Sequence, residues 1–284
     1  MKSRKNTLAL MISLAMASHV AQAQTTQEDV EKDDDVEHIT VSSSQVKLND
    51  SFAGGQVSRG GRAGILGNLD MMDSPFNSIN FTADIIREQQ SRSVADVLQN
   101  DPVVRVAKGF GNFQELYVMR GLPVYSDDMT YNGLFGILPR QYVAAELLER
   151  VEVFRGASAF LNGAAPGGSG LGGSVNIVPK RAGEEPLNRF TLGYESQKHF
   201  VGAVDVSRRF GEEGNSTGVR VNLVQRGGET SVDNQDRDLS VASVGIDHES
   251  ENARVSLDLG YQDHQVDAPR PAVTPSGGIP EAPE

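Results

Sequence analysis

From Asn188 onward, apolar and polar residues alternate with a period of two, the most regular signal in the chain. Phe190, Leu192 and Tyr194 point one way while Thr191, Gly193 and Glu195 point the other. Phe200, Gly202, Val204 and Val206 oppose Val201, Ala203, Asp205 and Ser207; Val219, Val221 and Leu223 oppose Arg220, Asn222 and Val224. Val244 and Ile246 oppose Ser243, Gly245 and Asp247, and Val255, Leu257, Leu259 and Tyr261 oppose Arg254, Ser256, Asp258, Gly260 and Gln262. That period belongs to extended chain, so five strands of about eight to eleven residues are predicted, each with one apolar and one largely polar face. The connections read short at 196–199, 211–216 and 249–252, and long at 227–238. A soluble sandwich and a membrane barrel, lipid outside and water inside, both fit such a sheet. Strand length near ten residues and a wet face carrying Arg220, Arg254 and Asp258 favour the barrel.

Between Ser51 and Lys180 the pattern is mixed. Phe81–Gln90 and Ser93–Gln99 read as short helices, the second with Val94, Val97 and Leu98 on one face, Ser93 as its cap and Asp101-Pro102 as its stop. Strand-like runs follow at Val103–Val106, Leu116–Met119, Val151–Phe154 and Ser174–Val178, punctuated by glycines. Short helices among short strands predict a small α+β domain over residues 51–180.

The first residues have the layout of an export signal: Lys2, Arg4 and Lys5, an apolar stretch from Leu8 to Ala17, then Ala21-Gln22-Ala23. Cleavage is expected after Ala23, giving a signal peptide over 1–23. The apolar run is too short to span a bilayer as a helix. Losing three basic residues and no acid turns the formal charge of −12 into −15, which argues against nucleic acid as a partner. Cysteine is absent, so there is no disulfide scaffold and no thiolate metal site. Residues 24–50 are polar and acidic, with seven acids between Glu28 and Glu37, too poor in apolar groups to order themselves. Within them Glu37, His38, Ile39, Thr40, Val41 and Ser42 form a short alternating hexamer that could add to the edge of another protein's sheet, or simply lead a solvated tail into the next domain.

Several motifs tempt and fail. Gly168-Ser169-Gly170-Leu171-Gly172-Gly173 has dinucleotide-turn spacing, but a strand, Ser174–Val178, follows where a helix is needed. His38, His199, His248 and His264 are scattered without metal-ligand spacing. Asp233, Asp236 and Asp238 lack the glycine and terminal glutamate of a calcium loop. No catalytic arrangement stands out, so no enzyme and no resident cofactor or metal is expected.

One stretch carries a resemblance. Leu147-Leu148-Glu149-Arg150-Val151-Glu152-Val153-Phe154-Arg155-Gly156, then Ala157 to Gly163, a glycine-rich turn, and Gly172 to Lys180 resemble the end of the plug domain of TonB-dependent receptors. Val94–Pro102, Tyr117–Gly121 and Tyr131–Leu134 fall upstream in the family's order, and Asn132-Gly133-Leu134 and Asn176–Arg181 look most like its ferric-siderophore branch. The resemblance implies a plug domain followed by antiparallel strands of a transmembrane barrel in the outer membrane, five of an expected 22 over residues 188–284. It implies ferric siderophore as ligand, iron entering only as part of it. Residues 37–42 become the TonB box, offered as an added strand to TonB of the inner-membrane coupling complex. Phe110, Gly111 and Asn112 in one loop, and Phe135, Gly136 and Arg140 in another, become apical ligand-binding candidates; an arginine there suits an anionic chelate. Glu149, Arg150, Glu152 and Arg155 look like the charged cluster that locks plug to barrel wall, with partners expected mostly in strands beyond this sequence.

Five strands cannot close a barrel, and open edges in lipid leave backbone groups unsatisfied. A fragment or truncated product is therefore expected, unable to transport alone, its plug folding marginally and residues 188–262 forming no inserted sheet. The rival reading is a secreted binding or adhesion protein in which the α+β domain precedes a β-sandwich.

Overall fold

The first domain is built where caps and apolar spacing meet. A computed structural model of the protein describes residues 48–109, 112, 114–141, 143–195, 198–212, 214–269 and 278, and these fall within a single compact unit. In chain order they form β1 (Gly60–Arg62), β2 (Asn68–Asp70), β3 (Ser78–Thr82), α1 (Ala83–Glu88), α2 (Val94–Leu98), β4 (Val104–Lys108), β5 (Leu116–Met119), β6 (Leu122–Tyr125), β7 (Thr130–Tyr131), β8 (Leu148–Arg155), α3 (Ala159–Asn162) and β9 (Gly173–Pro179). Five longer strands follow: β10 (Leu187–Glu195), β11 (His199–Glu212), β12 (Asn215–Glu229), β13 (Asp236–Glu249) and β14 (Arg254–Val266).

The two short helices start later than their spacing suggests or where it places them, and the cap decides each. Ser93 Oγ accepts from the Asp96 amide, as predicted for α2. Phe81, read as helical, is instead the strand partner of Val151, and Thr82 Oγ1 caps α1 by accepting from the Asp84 amide at 3.3 Å. Tertiary pairing here overrides helical propensity. A sheet of order β3-β8-β9-β7 and a second of order β4-β5-β6 enclose Ile85, Ile86, Val94, Val97, Leu98, Tyr117, Met119, Val151, Val153, Val175 and Ile177, all buried. Each such side chain contributes about 1.5 to 3 kcal/mol, which is what holds elements this short in place.

The other face of the first sheet is polar. Asn80, Glu152, Asn176 and Thr130 stand side by side across its four strands, and all are buried. Asn176 donates to Glu152 at 2.7 Å and accepts from Thr130 at 2.8 Å, while the hairpin β1-β2 covers the row and gives Glu152 the Arg62 amide at 3.2 Å. Gly61 lies against the Asn80 amide so closely that a Cβ would meet it at 2.7 Å. This hairpin was not predicted, because its glycines carry no alternation.

Strands β10 to β14 form a continuous antiparallel meander. All five predicted strands are present; β10 has 9 residues as expected, and the other four run longer, 13 to 15 residues. The long connection shrinks to residues 230–235, since the β12-β13 ladder continues to Glu229↔Asp236. At about 3.4 Å per residue the longer strands exceed the ~25 Å apolar band of a barrel even when tilted.

What distinguishes this sheet is which face it hides. Leu192 is 92% exposed, and Phe190, Tyr194, Phe200, Val255, Leu257, Leu259 and Tyr261 are exposed beside it. Asp205, Arg220, Asn222, Arg226 and Asp247 on the opposite face are buried, against the first domain. A sandwich in water would do the reverse. Polar residues packed against the domain and apolar residues on the open face are the arrangement of a barrel wall, not of a sandwich formed within these residues. Among the described residues no helix is long and apolar enough to cross a membrane.

Candidate functional site

Two groups of residues are brought together, one where the domain meets the sheet and one in its loops. At the first, Arg220 of β12 makes a bidentate pair with Asp205 of β11, at 2.8 and 2.7 Å, and reaches across to Glu149 at 2.8 Å. Lys180 Nζ adds a second cation to Asp205 at 3.1 Å, and Asn222, with its amide turned to donate, gives the same carboxylate a bond of 3.0 Å. Burial pushes the Lys180 amine below its ordinary value, and Asp205 opposes that shift. Further pairs cross the seam: Glu146 with Arg226 at 2.9 Å, Arg181 with Asp258, and Arg92 with Glu195. Burial raises the Glu146 carboxyl, with Arg226 as the main opposing charge. The Ala144 amide donates to Gln262 at 2.9 Å, and Ala144 packs with Val224, Leu239 and Val241 in a small apolar contact. Beside it a cavity of about 190 Å³ separates α1 from the inner face of β10 to β12.

Of the four residues expected to lock the domain to the wall, only Glu149 meets it among the described residues. Its partner, Arg220, lies in a strand that is present, not in one beyond the sequence. Arg150 donates to the carbonyls of Gly60, at 3.2 Å, and Asn49. Glu152 belongs to the buried polar row, and Arg155 pairs with Asp101 at 3.0 Å and Asn77 at 3.1 Å. The cause is that β8 is central in its sheet and covered on both faces, so side chains alternating along it go inward either way. The other residues that cross, Arg92, Glu146, Lys180 and Arg181, were missed. Arg220 and Asp258 had been visible as charges on a wet strand face, which is the available signal for such partners.

In the second group, Gln114 bridges Gln141 and Ser126 Oγ donates to the Arg140 carbonyl at 2.8 Å, so three loops converge. The Arg140 guanidinium sits over the Tyr125 ring, 5.7 Å from its centre, and 3.8 Å from Asp127; it is half exposed. Asn112 is two residues from the Gln114 bridge, whereas Phe135 lies against Gly163. Phe110, Gly111 and residues 37–42 lie outside the described residues. Tyr125 and Asp127 were not anticipated. Asp128, next to them, is buried and clasps the glycine-rich loop, accepting from the Gly167 amide at 2.6 Å and Ser169 Oγ at 2.6 Å. At the loop-bearing end of the sheet, His199, Arg226, Arg237 and His264 gather around Arg92, bringing two of the scattered histidines into a single basic cluster.

A charged sheet face closed over a small α+β domain, with the apolar face left bare, matches a known architecture. Residues 70–169 match the TonB-dependent receptor plug domain. The matched region is a plug domain of the TonB-dependent receptor type. It is 45% identical over 235 residues to the ferrichrome receptor FcuA of Yersinia enterocolitica, covering 82% of this chain and 31% of that protein. Against the solved ferric preacinetobactin receptor BauA of Acinetobacter baumannii the TM-score is 0.73 at 40% identity, covering 78% of this chain and 33% of that one. The pyoverdine receptor FpvA of Pseudomonas aeruginosa shares the fold at 20% identity, with a TM-score of 0.67 over 79% of this chain and 33% of that one. The chain thus spans about a third of the length of these relatives. In the family's terms, the first domain is the plug and β10 to β14 are wall strands.

Proposed function

We propose that this chain supplies the plug and the first wall strands of an outer-membrane receptor that takes up a ferric siderophore. The observation that carries this is the inverted sheet: apolar side chains outward, Asp205, Arg220 and Asp247 buried against a plug. Siderophore is the reading for the ligand because the 45% and 40% identical relatives are named for ferrichrome and ferric preacinetobactin. Arg140, held by Tyr125 and Asp127 in the converging loops, is the group suited to an anionic chelate, and Asn112 and Phe135 remain apical candidates on neighbouring loops. Glu149 on Arg220 holds plug to wall. Residues 37–42 pair with TonB by strand addition, and the export signal at 1–23 directs the chain to the outer membrane.

The test is uptake of ⁵⁵Fe-labelled ferrichrome and ferric preacinetobactin by cells whose only siderophore receptor carries this region. Val41→Pro removes a backbone donor from the added strand and should abolish uptake while surface binding persists. Arg140→Ala should weaken binding itself. Uptake untouched by Val41→Pro would contradict the coupling assignment, and absence of binding to either chelate would contradict the ligand class.

A further inference from the structure

The plug is joined to the wall at two kinds of contact. Glu146, Glu149 and Arg92 each reach the wall through a side chain, which can let go without moving the backbone behind it. The four residues Lys180–Gly183, between β9 and β10, are held differently. Their main-chain carbonyls are taken by wall arginines: Arg220 Nη1 donates to Arg181 O at 3.0 Å, and Arg209 donates to Ala182 O at 2.7 Å and Gly183 O at 3.3 Å. Their side chains are taken too, Lys180 by Asp205 and Arg181 by both oxygens of Asp258.

The wall is shaped to receive this segment. Arg209, Gly218 and Asp247 are paired in one row across β11, β12 and β13, and Ser207, Arg220, Gly245 and Asp258 in the next row across β11 to β14. A glycine sits in each row where the segment crosses. A Cβ at Gly218 would lie 2.9 Å from the Ala182 methyl, and one at Gly245 2.8 Å from the Lys180 carbonyl. Arg209 is itself fixed by Asp247 at 2.7 Å, so the hand that grips the strap is braced on a third strand. Ala182 is buried in the slot.

We propose that Lys180–Gly183 is a fixed anchor that ends the movable part of the plug at Pro179, so that a plug drawn from its N-terminal side is held back by β11 to β14 as a set and not by the covalent link at Leu187. The purpose rests on the functional reading above; the anchor itself does not, and its test needs neither ligand nor TonB. Side-chain pairs at Glu146 and Glu149 release first, the strap last, and the wall keeps its register while the plug rearranges.

The chain supplies its own probes, since Lys180 and Arg181 are tryptic sites. A receptor carrying this region, in detergent or membranes, is pulsed with trypsin at rising urea, and cuts are mapped by mass. Bonds after Arg87, Arg105 and Arg120 in the plug should open first, and those after Lys180 and Arg181 only with Arg220 of the wall. Arg209→Met should make the Arg181 bond at least about tenfold faster to cut without urea, by leaving the strap carbonyls ungripped. Asp258→Asn, which leaves Arg209 in place, should give a smaller acceleration in the same direction. Cleavage after Arg181 in step with the plug sites in the unmodified chain would overturn the proposal, as would rates at Arg181 unchanged in both variants.

Discussion

Arg220 serves three acceptors at once, Asp205, Glu149 and the Arg181 carbonyl, and is almost wholly buried. Removing one partner of such a group strands the others, so Arg220→Met should cost about 3 to 5 kcal/mol in urea unfolding. Glu149→Gln keeps an acceptor on a partly exposed side chain and should cost under about 1 kcal/mol. A reversed order would show that Glu149, not Arg220, is the hub. Glu115 gives a pH test. Its carboxyl is raised by burial, and its Oε2 accepts from Tyr117 OH at 2.6 Å and the Ala95 amide at 3.2 Å. A folded-state value above the unfolded one means that the folded plug keeps the proton longer. Plug stability should therefore be full below the ordinary value of 4.5, fall as pH rises, and level off once the folded carboxyl has ionised. Glu115→Gln retains the accepting oxygen and should make that fall shallower, checked by urea midpoints between acid and neutral pH; an unchanged slope would remove Glu115 from the explanation.

At the scale of elements, the five wall strands were readable because their side chains obey a period of two imposed by two unlike media. Leu257 is outward on β14 and Thr191 inward on β10, so Leu257→Arg should lose about 2 to 4 kcal/mol of membrane stability while Thr191→Arg loses little. Heat-modifiability on gels with folded and unfolded bands would read both. The plug was less readable. Val94, Val97 and Leu98 announced α2, but β1 and β2 are three residues each and carry no apolar alternation, and Phe81 gave way to pairing with Val151. Charges in β8 looked like an outward lock, yet a central strand covered on both faces takes Arg150 and Glu152 inward. Periodicity reports the medium a residue faces; it does not report which charge across a seam will answer it, so Glu146, Lys180 and Arg181 stayed hidden.

For the molecule as a whole, plug and wall are complementary surfaces. The wall's inward charges pair with one another and with the plug, and the wall's outward side chains have no protein over them among the described residues. That arrangement is the one a lipid-facing wall requires, and a cysteine-free chain allows the orientation to be measured directly. Single cysteines placed one at a time from position 254 to 262 of a receptor that carries this region, each bearing a nitroxide and held in outer membranes, report contact with oxygen dissolved in lipid. Oxygen accessibility should peak at 255, 257, 259 and 261 and drop at 254, 256, 258, 260 and 262. Peaks at the even positions, or no alternation at all, would contradict the assignment of β10 to β14 as a membrane wall closed over a plug.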